Sequence, residues 1–393
     1  MMLDRTGAAG RFRFPAPEPD PEETRLRAEV RAFLAEERAA GRFAPRADCW
    51  VSAADPEFSA RLGARGWLGM TWPTEYGGGG RPVLHRLAVT EELLAAGAPV
   101  AAHWVADRQS GAQLLRFGTE GQRREILPRI AAGQCFFAIG MSEPQAGSDL
   151  AAVATKAERA EGGWRLTGRK IWSTQAHIAH YMIVLARTSP PEGRDRQKGL
   201  SQFLVDLRNT PGVQVSGIRD LAGAVHFNET LFDGALLPED ALLGREGDGW
   251  LQVTAELAME RSGPERFLTV LALMTAGLEA LRGRLDDRRA AALGRLVARV
   301  TALRRMSRGV ARLLQEGADP QVEAALVKDL GNRFEKEAVA EVREMLSGLP
   351  REDWPAGLAA LLDASVLALP SNSLRGGTTE IMRGIVARRL GMR

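Results

Sequence analysis

From Glu22 to about Arg129 the apolar positions recur at three and four residues. Leu26, Val30, Phe33 and Leu34 form one such stripe, and Leu84, Leu87, Thr90 and Leu94 another. This is the period of a helix that buries one face. The two stripes are separated by Trp72-Pro-Thr-Glu-Tyr-Gly-Gly-Gly-Gly80, whose four consecutive glycines predict a loop. From Cys135 to Gly244 the texture changes to short β-type runs, Trp164-Arg-Leu, Tyr181-Met-Ile-Val-Leu and Gln202-Phe-Leu-Val, punctuated by Gly and Pro. After Gly247 long Ala/Leu/Arg/Glu periodicities return almost to the end. The expected order is helical, β, helical: an arm over 1–21, a helical domain over 22–134, a β-domain over 135–244 and a helical bundle over 245–393. The fold class is α+β and multidomain.

At 393 residues the chain exceeds one hydrophobic core. Its 45% hydrophobic and 26% charged residues are ordinary for a globular protein. Net charge is +3, only five of the 52 basic residues are lysine, and the arginines alternate with acids along the helical stretches. That pattern argues against a nucleic-acid footprint. Cys49 and Cys135 form neither a CxxC nor a Cys/His quartet, so no disulfide framework or zinc site is indicated, and a reducing cytoplasm is the expected home. No apolar run reaches the ~18 residues of a membrane span, and the N-terminus lacks an apolar signal core. Residues 11 to 23, rich in Pro and acid, read as a loose arm.

Two strings stand out for their chemistry. Gly140-Met-Ser-Glu-Pro-Gln-Ala-Gly-Ser-Asp149 is followed about twenty residues later by Gly168-Arg-Lys-Ile-Trp-Ser-Thr174. The first alone could be a capped turn, with Gly147 supplying conformational freedom and Ser148 and Asp149 bonding locally to the backbone. Together they resemble the flavin-contacting core of the acyl-CoA dehydrogenase family, and the Trp72–Gly80 loop is similar to a stretch at the same place in that family. The resemblance spans roughly residues 25 to 390. It implies an N-terminal helical domain, a middle β-barrel-like domain, a C-terminal four-helix bundle and an FAD cofactor. Ile139, Met141 and Ser142 would meet the flavin edge, Ser142 as hydroxyl donor near N5. Trp172 and Thr174 would pack and bond from the next strand, and Ser148 would touch the pantetheine of CoA.

Dehydrogenation of an acyl thioester needs a carboxylate base for the α-proton, a hydride acceptor for the β-hydrogen, and donors that hold the carbonyl oxygen as enolate charge develops. Leu374-Arg-Gly-Gly-Thr-Thr-Glu-Ile381 resembles the family's C-terminal motif, in which most members carry the base at the position of Gly376. The glycine keeps its N–H, so the carbonyl-holding donor survives there without a carboxylate, while Thr378 and Glu380 match further flavin contacts. A minority of the family carries the base on the first helix of the C-terminal domain, immediately before an Arg. Glu260, followed by Arg261 as a substrate contact, matches that position. Gly263-Pro264 follows, and because Pro264 has no N–H the helix should kink or restart there. Against this stands an exposed helical Glu beside a plain break, with Glu256 one turn earlier as an equivalent solvated partner for an Arg.

His177 and His180 form an H-x-x-H pair without a third ligand, so no metal is indicated. His226-Phe-Asn-Glu229 resembles a string of bacterial members and is expected to order the barrel edge. The family's Arg-x-x-Phe-Gly and Gln-x-x-Gly-Gly-x-Gly segments, which reach the diphosphate and adenine of a neighbouring subunit's FAD, are absent from Arg282–Gly294 and Glu344–Asn372. The resemblance implies an acyl-CoA substrate, an electron-transferring flavoprotein as acceptor, and a homodimer, homotetramer or heteromer with a second family member. A flavin oxidase or monooxygenase on the same fold, and a partner subunit that completes another chain's FAD site, remain open at this point.

Overall fold

The computed structural model describes residues 12–191, 193, 195–261 and 263–392, and of residues 257–261 the backbone alone. The N-terminal part holds helices α1 (Pro21–Ala39), α2 (Cys49–Ser52), α3 (Pro56–Ala64), α4 (Val83–Ala95), α5 (Ala101–Val105), α6 (Gly111–Phe117) and α7 (Glu120–Ala131). Helix α1 starts where the Asp20 carboxylate accepts the Glu22 N–H and Pro21 takes the first helical position. Its buried face includes Leu26, Val30, Phe33 and Leu34, the stripe read from the sequence. In the glycine-rich loop, Gly78 lies so close to Trp72 that an added Cβ would sit 2.3 Å from the Trp72 carbonyl oxygen. Packing therefore demands the glycine there.

The middle part is one eight-stranded sheet: β1 (Phe137–Gly140), β2 (Lys156–Ala160), β3 (Gly163–Thr174), β4 (Tyr181–Arg187), β5 (Leu200–Asp206), β6 (Val213–Arg219), β7 (Val225–Pro238) and β8 (Leu242–Leu243). The order is β6-β7-β3-β2-β4-β5-β8, with β1 added in parallel beside β4. Its core gathers Trp164, Phe203, Phe232, Met182 and Val205, and the Trp164 and Phe203 rings meet edge-on at 5.0 Å.

Helices α8 (Gly249–Arg261), α9 (Leu271–Ala280), α10 (Asp287–Gln315), α11 (Gln321–Met345), α12 (Leu358–Asn372) and α13 (Thr379–Arg389) complete the chain as a helical bundle. Helix α8 ends at Arg261, and a 3₁₀ turn begins at Pro264, where the missing N–H places the break.

Contacts divide the chain into two compact units. One comprises residues up to Trp50, Arg81–Pro99 and Glu260–Arg393; the other comprises Val51–Gly80 and Val100–Met259. In the first, Leu84 and Leu87 of α4 pack on Ala311 of α10. An ionic network centred on buried Glu23, Arg27 and Glu91 ties the same helices: Arg27 to Glu23 (2.8 Å) and Glu91 (2.5 Å), Arg304 to Glu91 (3.0 Å) and Arg308 to Glu23 (2.5 Å). Among the described residues no helix is long and apolar enough to cross a membrane.

Candidate active site

The two strings singled out in the sequence interlock in the second unit. Glu143 of the first and Lys170 of the second form an ion pair at 2.8 Å, with side chains 2% and 0% exposed. The Glu143 carboxylate also accepts the Ala154 N–H (2.7 Å), the Thr155 N–H (2.9 Å) and the Gln145 amide (2.7 Å). Burial alone would raise its pKa; the Lys170 charge and these donors outweigh burial and hold it below the ordinary value. Burial pushes the Lys170 ammonium down to about 8 against the pull of Glu143. Two glycines make room for this contact. A Cβ on Gly140 would meet the Met182 sulfur at 2.7 Å and Lys170 Cγ at 3.3 Å, and one on Gly168 would meet the Thr155 hydroxyl oxygen at 2.4 Å.

Beyond the ion pair, β3 carries a bulge. Lys170 pairs with Thr230 and Ser173 with Asn228, so three steps on β3 oppose two on β7. Trp172 lies within that step at φ +62° with its side chain turned outward, 56% exposed, and its ring edge-on to Phe227 at 6.0 Å. Gln175 takes a second left-handed conformation, φ +55°. The His226–Glu229 segment holds both: Asn228 donates to the Ser173 carbonyl (3.0 Å), and the His226 carbonyl accepts the Gln175 N–H (2.8 Å). The string lies on β7, an interior strand between β6 and β3, and these bonds join it to the bulged end of β3. His177 Nδ1 meets Asn228 Oδ1 at 3.1 Å, whereas His180 Nδ1 accepts the Phe136 N–H at 3.1 Å. The two imidazoles are thus engaged separately.

Ile139, Met141, Ser142 and Thr174 are half-buried around these strand ends, and the Ser142 carbonyl accepts the Ile171 N–H at 2.9 Å. Ile139 and Met141 also lean on apolar clusters, so each has a packing role. Ser148 is exposed, and Asp149 pairs with Arg196 at 2.7 Å. Gly147 is not left-handed, and a Cβ there would meet nothing within 4 Å, so neither turn geometry nor packing explains that glycine.

In the first unit, the loop before α13 is pinned on several sides. Gly376 and Gly377 take φ +64° and +96°. Arg375 bonds Asp48 (2.7 Å) and Asn372 (2.6 Å) and lies over the Trp50 ring. Buried Lys328 donates to the Gly377 carbonyl, and Lys336 donates to Ser373 at 2.9 Å. Thr378 caps α13 through its bond to the Ile381 N–H. The exposed Glu380 carboxyl is held below its ordinary value by its own N–H and the Thr378 hydroxyl. The side chains of Glu260 and Arg261 lie outside the described residues; their backbone closes the last turn of α8. Glu256 is buried, 2% exposed, rather than the solvated helical Glu that its spacing allowed.

Sequence comparison decides what this arrangement belongs to. The acyl-CoA dehydrogenase N-terminal domain profile matches residues 20–134, the middle-domain profile residues 138–234 and the C-terminal-domain profile residues 247–391. The chain belongs to the acyl-CoA dehydrogenase family. Its relatives include the acyl-CoA dehydrogenase IpdE1 of Mycobacterium tuberculosis, 34% identical over 93% of this chain and 96% of that protein. The acyl-CoA dehydrogenase FadE29 of the same organism is 32% identical over 83% of this chain and 85% of its own length. Among solved structures, the Tcur3481-Tcur3483 steroid ACAD is similar at TM-score 0.83 and 26% identity, covering 96% of this chain and 99% of that one. The ChsE4-ChsE5 complex from Mycobacterium tuberculosis is similar at TM-score 0.81 and 28% identity, covering 96% and 99%.

This acyl-CoA dehydrogenase is an FAD-dependent oxidoreductase of lipid metabolism. The described residues fit the ring end of FAD: an outward aromatic on a strained bulge beside backbone groups fixed by a buried ion pair suits a flat apolar ring with a polar edge. Sequence reasoning missed Glu143 and Lys170. A signal existed, since the charged residues of the first string are both acids, Glu143 and Asp149, those of the second are both bases, Arg169 and Lys170, and lysine occurs only five times in the chain.

Proposed function

We propose that this acyl-CoA dehydrogenase converts an acyl-CoA thioester to the trans-2-enoyl-CoA with Glu260 as the base. The observation that carries this is Gly376: the position where most of the family holds its base has no side chain and a left-handed backbone, φ +64°. The carboxylate must then come from elsewhere, and Glu260 lies in the last turn of α8, shortly before the break at Pro264. In this reading Glu260 takes the α-proton, and the Gly376 N–H holds the thioester oxygen, whose developing charge it stabilises. Arg261 and Ser148 bind the CoA ester, and the open space above Gly147 admits the pantetheine chain. Ile139, Met141, Ser142, Trp172 and Thr174 hold the flavin ring, with Thr378 and Glu380 as further contacts. FAD, when bound, supplies the acceptor for the hydride leaving the β-carbon. Electrons pass onward to an electron-transferring flavoprotein.

For the substrate, the likeness to a structure described as a steroid ACAD supports a ring-bearing CoA ester. For assembly, α10 and α11 supply the observation. Their groove, about 610 Å³, is lined by Arg288 and Arg295, already committed to Glu344 (2.5 Å) and Glu341 (3.4 Å), and by Glu337, which pairs with Arg299. Such a surface fits a diphosphate poorly, because each cation brings an anion with it. Together with the likeness to the ChsE4-ChsE5 complex, this supports assembly with a second, unlike family member that supplies the adenine-end grip.

Glu260→Gln tests the base. We expect kcat to fall by at least ~10²-fold while the bound flavin and its visible spectrum are kept; near-normal turnover would sink the assignment.

A further inference from the structure

We infer that Lys170 and Glu143 are positioning residues that fix the direction of the Met141–Ser142 peptide, and with it the Ser142 N–H and hydroxyl offered to the flavin edge. The inference rests on the FAD site proposed above and deepens it.

Geometry carries the argument. Lys170 Nζ donates to the Met141 carbonyl at 3.0 Å, and the next residue on β3, Ile171, donates its N–H to the Ser142 carbonyl at 2.9 Å. Both carbonyls flanking Ser142 are thereby held by consecutive residues of one strand. Peptide bonds here are all trans, so each C=O points opposite to the following N–H. With the Met141 oxygen drawn inward to the ammonium, the Ser142 N–H faces outward, away from Lys170. Glu143 locks the following turn by accepting the Ala154 and Thr155 N–H groups while neutralising Lys170.

Stability alone gives no reason for this pair. A fully buried ion pair is often neutral or destabilising relative to apolar residues of similar volume, so keeping one beneath a strand edge points to what it orients. Its members come one from each diagnostic string, Glu143 within 140–149 and Lys170 within 168–174. The pair therefore couples the segment bearing Ser142 to the segment bearing Trp172 through side chains that would not touch the flavin themselves.

A double substitution separates positioning from structural support. Lys170→Met leaves the Glu143 carboxylate buried without its cation, so the melting temperature should drop and FAD affinity should weaken at least tenfold. Adding Glu143→Gln removes the uncompensated charge yet keeps an acceptor for the Ala154 and Thr155 N–H groups. The double variant should recover most of the melting temperature and still bind FAD at least tenfold more weakly, because nothing restores the ammonium at the Met141 carbonyl. Thermal unfolding is measured on the assembly stripped of FAD, and affinity by FAD titration of the same preparation, so that the melting temperature does not carry the change in affinity. FAD affinity that returns with stability in the double variant, or an unweakened Lys170→Met, overturns the inference. Trp172→Ala is the control. If it weakens FAD while Lys170→Met does not, the site assignment stands and only the positioning role falls; if neither weakens FAD, the site assignment falls as well.

Discussion

Trp172 sits at φ +62°, where a residue with a Cβ is strained by about 1–2 kcal/mol, and it exposes a large apolar ring. Exposure leaves much of the ring without packing, and its aromatic neighbour Phe227 meets it only edge-on at 6.0 Å. Strain and exposure together at one residue are what a ligand-facing side chain held by its surroundings shows. The position therefore predicts opposite signs for two measurements. Trp172→Gly should leave the melting temperature of the flavin-free protein unchanged or raise it, because glycine enters the left-handed region freely. The same change should weaken FAD binding several-fold. A loss of stability matching the loss of affinity would show that the indole serves the fold instead. The bulge itself was not legible in the sequence, because Gly168–Thr174 reads as an uninterrupted strand. The extra residue appears only when β3 is set against β7.

Among the elements, α11 is the least expected. Lys328, Asn332 and Glu335, spaced to share one helix face, are all buried, at 0%, 2% and 4% exposure. Periodicity marks this helix as amphipathic but assigns such residues to solvent. They are inside because they hold neighbouring segments: Lys328 bonds the Gly377 carbonyl, and Glu335 accepts the Thr269 hydroxyl. Burial raises Glu335 from the usual 4.5 to about 7; Asp48 adds to the rise, while the Thr269 bond, Arg375 and Arg266 oppose it. A carboxyl whose folded pKa exceeds its unfolded value binds its proton more tightly when folded. Its stabilising share is full below about 4.5 and is lost as pH rises through about 7. The melting temperature should accordingly decline between about pH 5 and pH 8, and Glu335→Gln should flatten that slope and melt above the wild type at the alkaline end. An unchanged slope in the variant would assign the pH dependence to other groups. What the sequence did reveal at this scale was the alternation of helical and β textures and the break at Pro264. Both depend on neighbours within a few residues. It could not reveal that α1 and α4 pack on α10, which rests on contacts such as Arg308 with Glu23, 285 positions apart.

At the scale of the whole molecule, the two ends of the proposed cofactor site behave differently. The ring-end residues are organised by this chain alone, through the Lys170–Glu143 pair and the Trp172 bulge. The groove between α10 and α11 has no comparable readiness. Arg289 donates to the Met345 and Ser347 carbonyls at 2.9 and 3.1 Å, and the arginines at 288, 295 and 299 face Glu344, Glu341 and Glu337. A diphosphate entering it would have to displace those carboxylates or lie beside them, and exposed pairs of this kind are too weak to be needed for the fold. If two copies of this chain met through that surface, each would offer the other's cofactor a neutralised grip. An unlike family member with unpaired cations there would bind FAD more tightly. The expected outcome is therefore that this chain purified alone is colourless or only partly loaded with flavin. Co-expressed with a second acyl-CoA dehydrogenase chain, it should yield a yellow complex containing both. Visible absorbance gives the flavin per chain, and native mass gives the composition. A homomer carrying one FAD per chain would show instead that the Arg–Glu pairs open on binding, and the heteromeric reading would be abandoned.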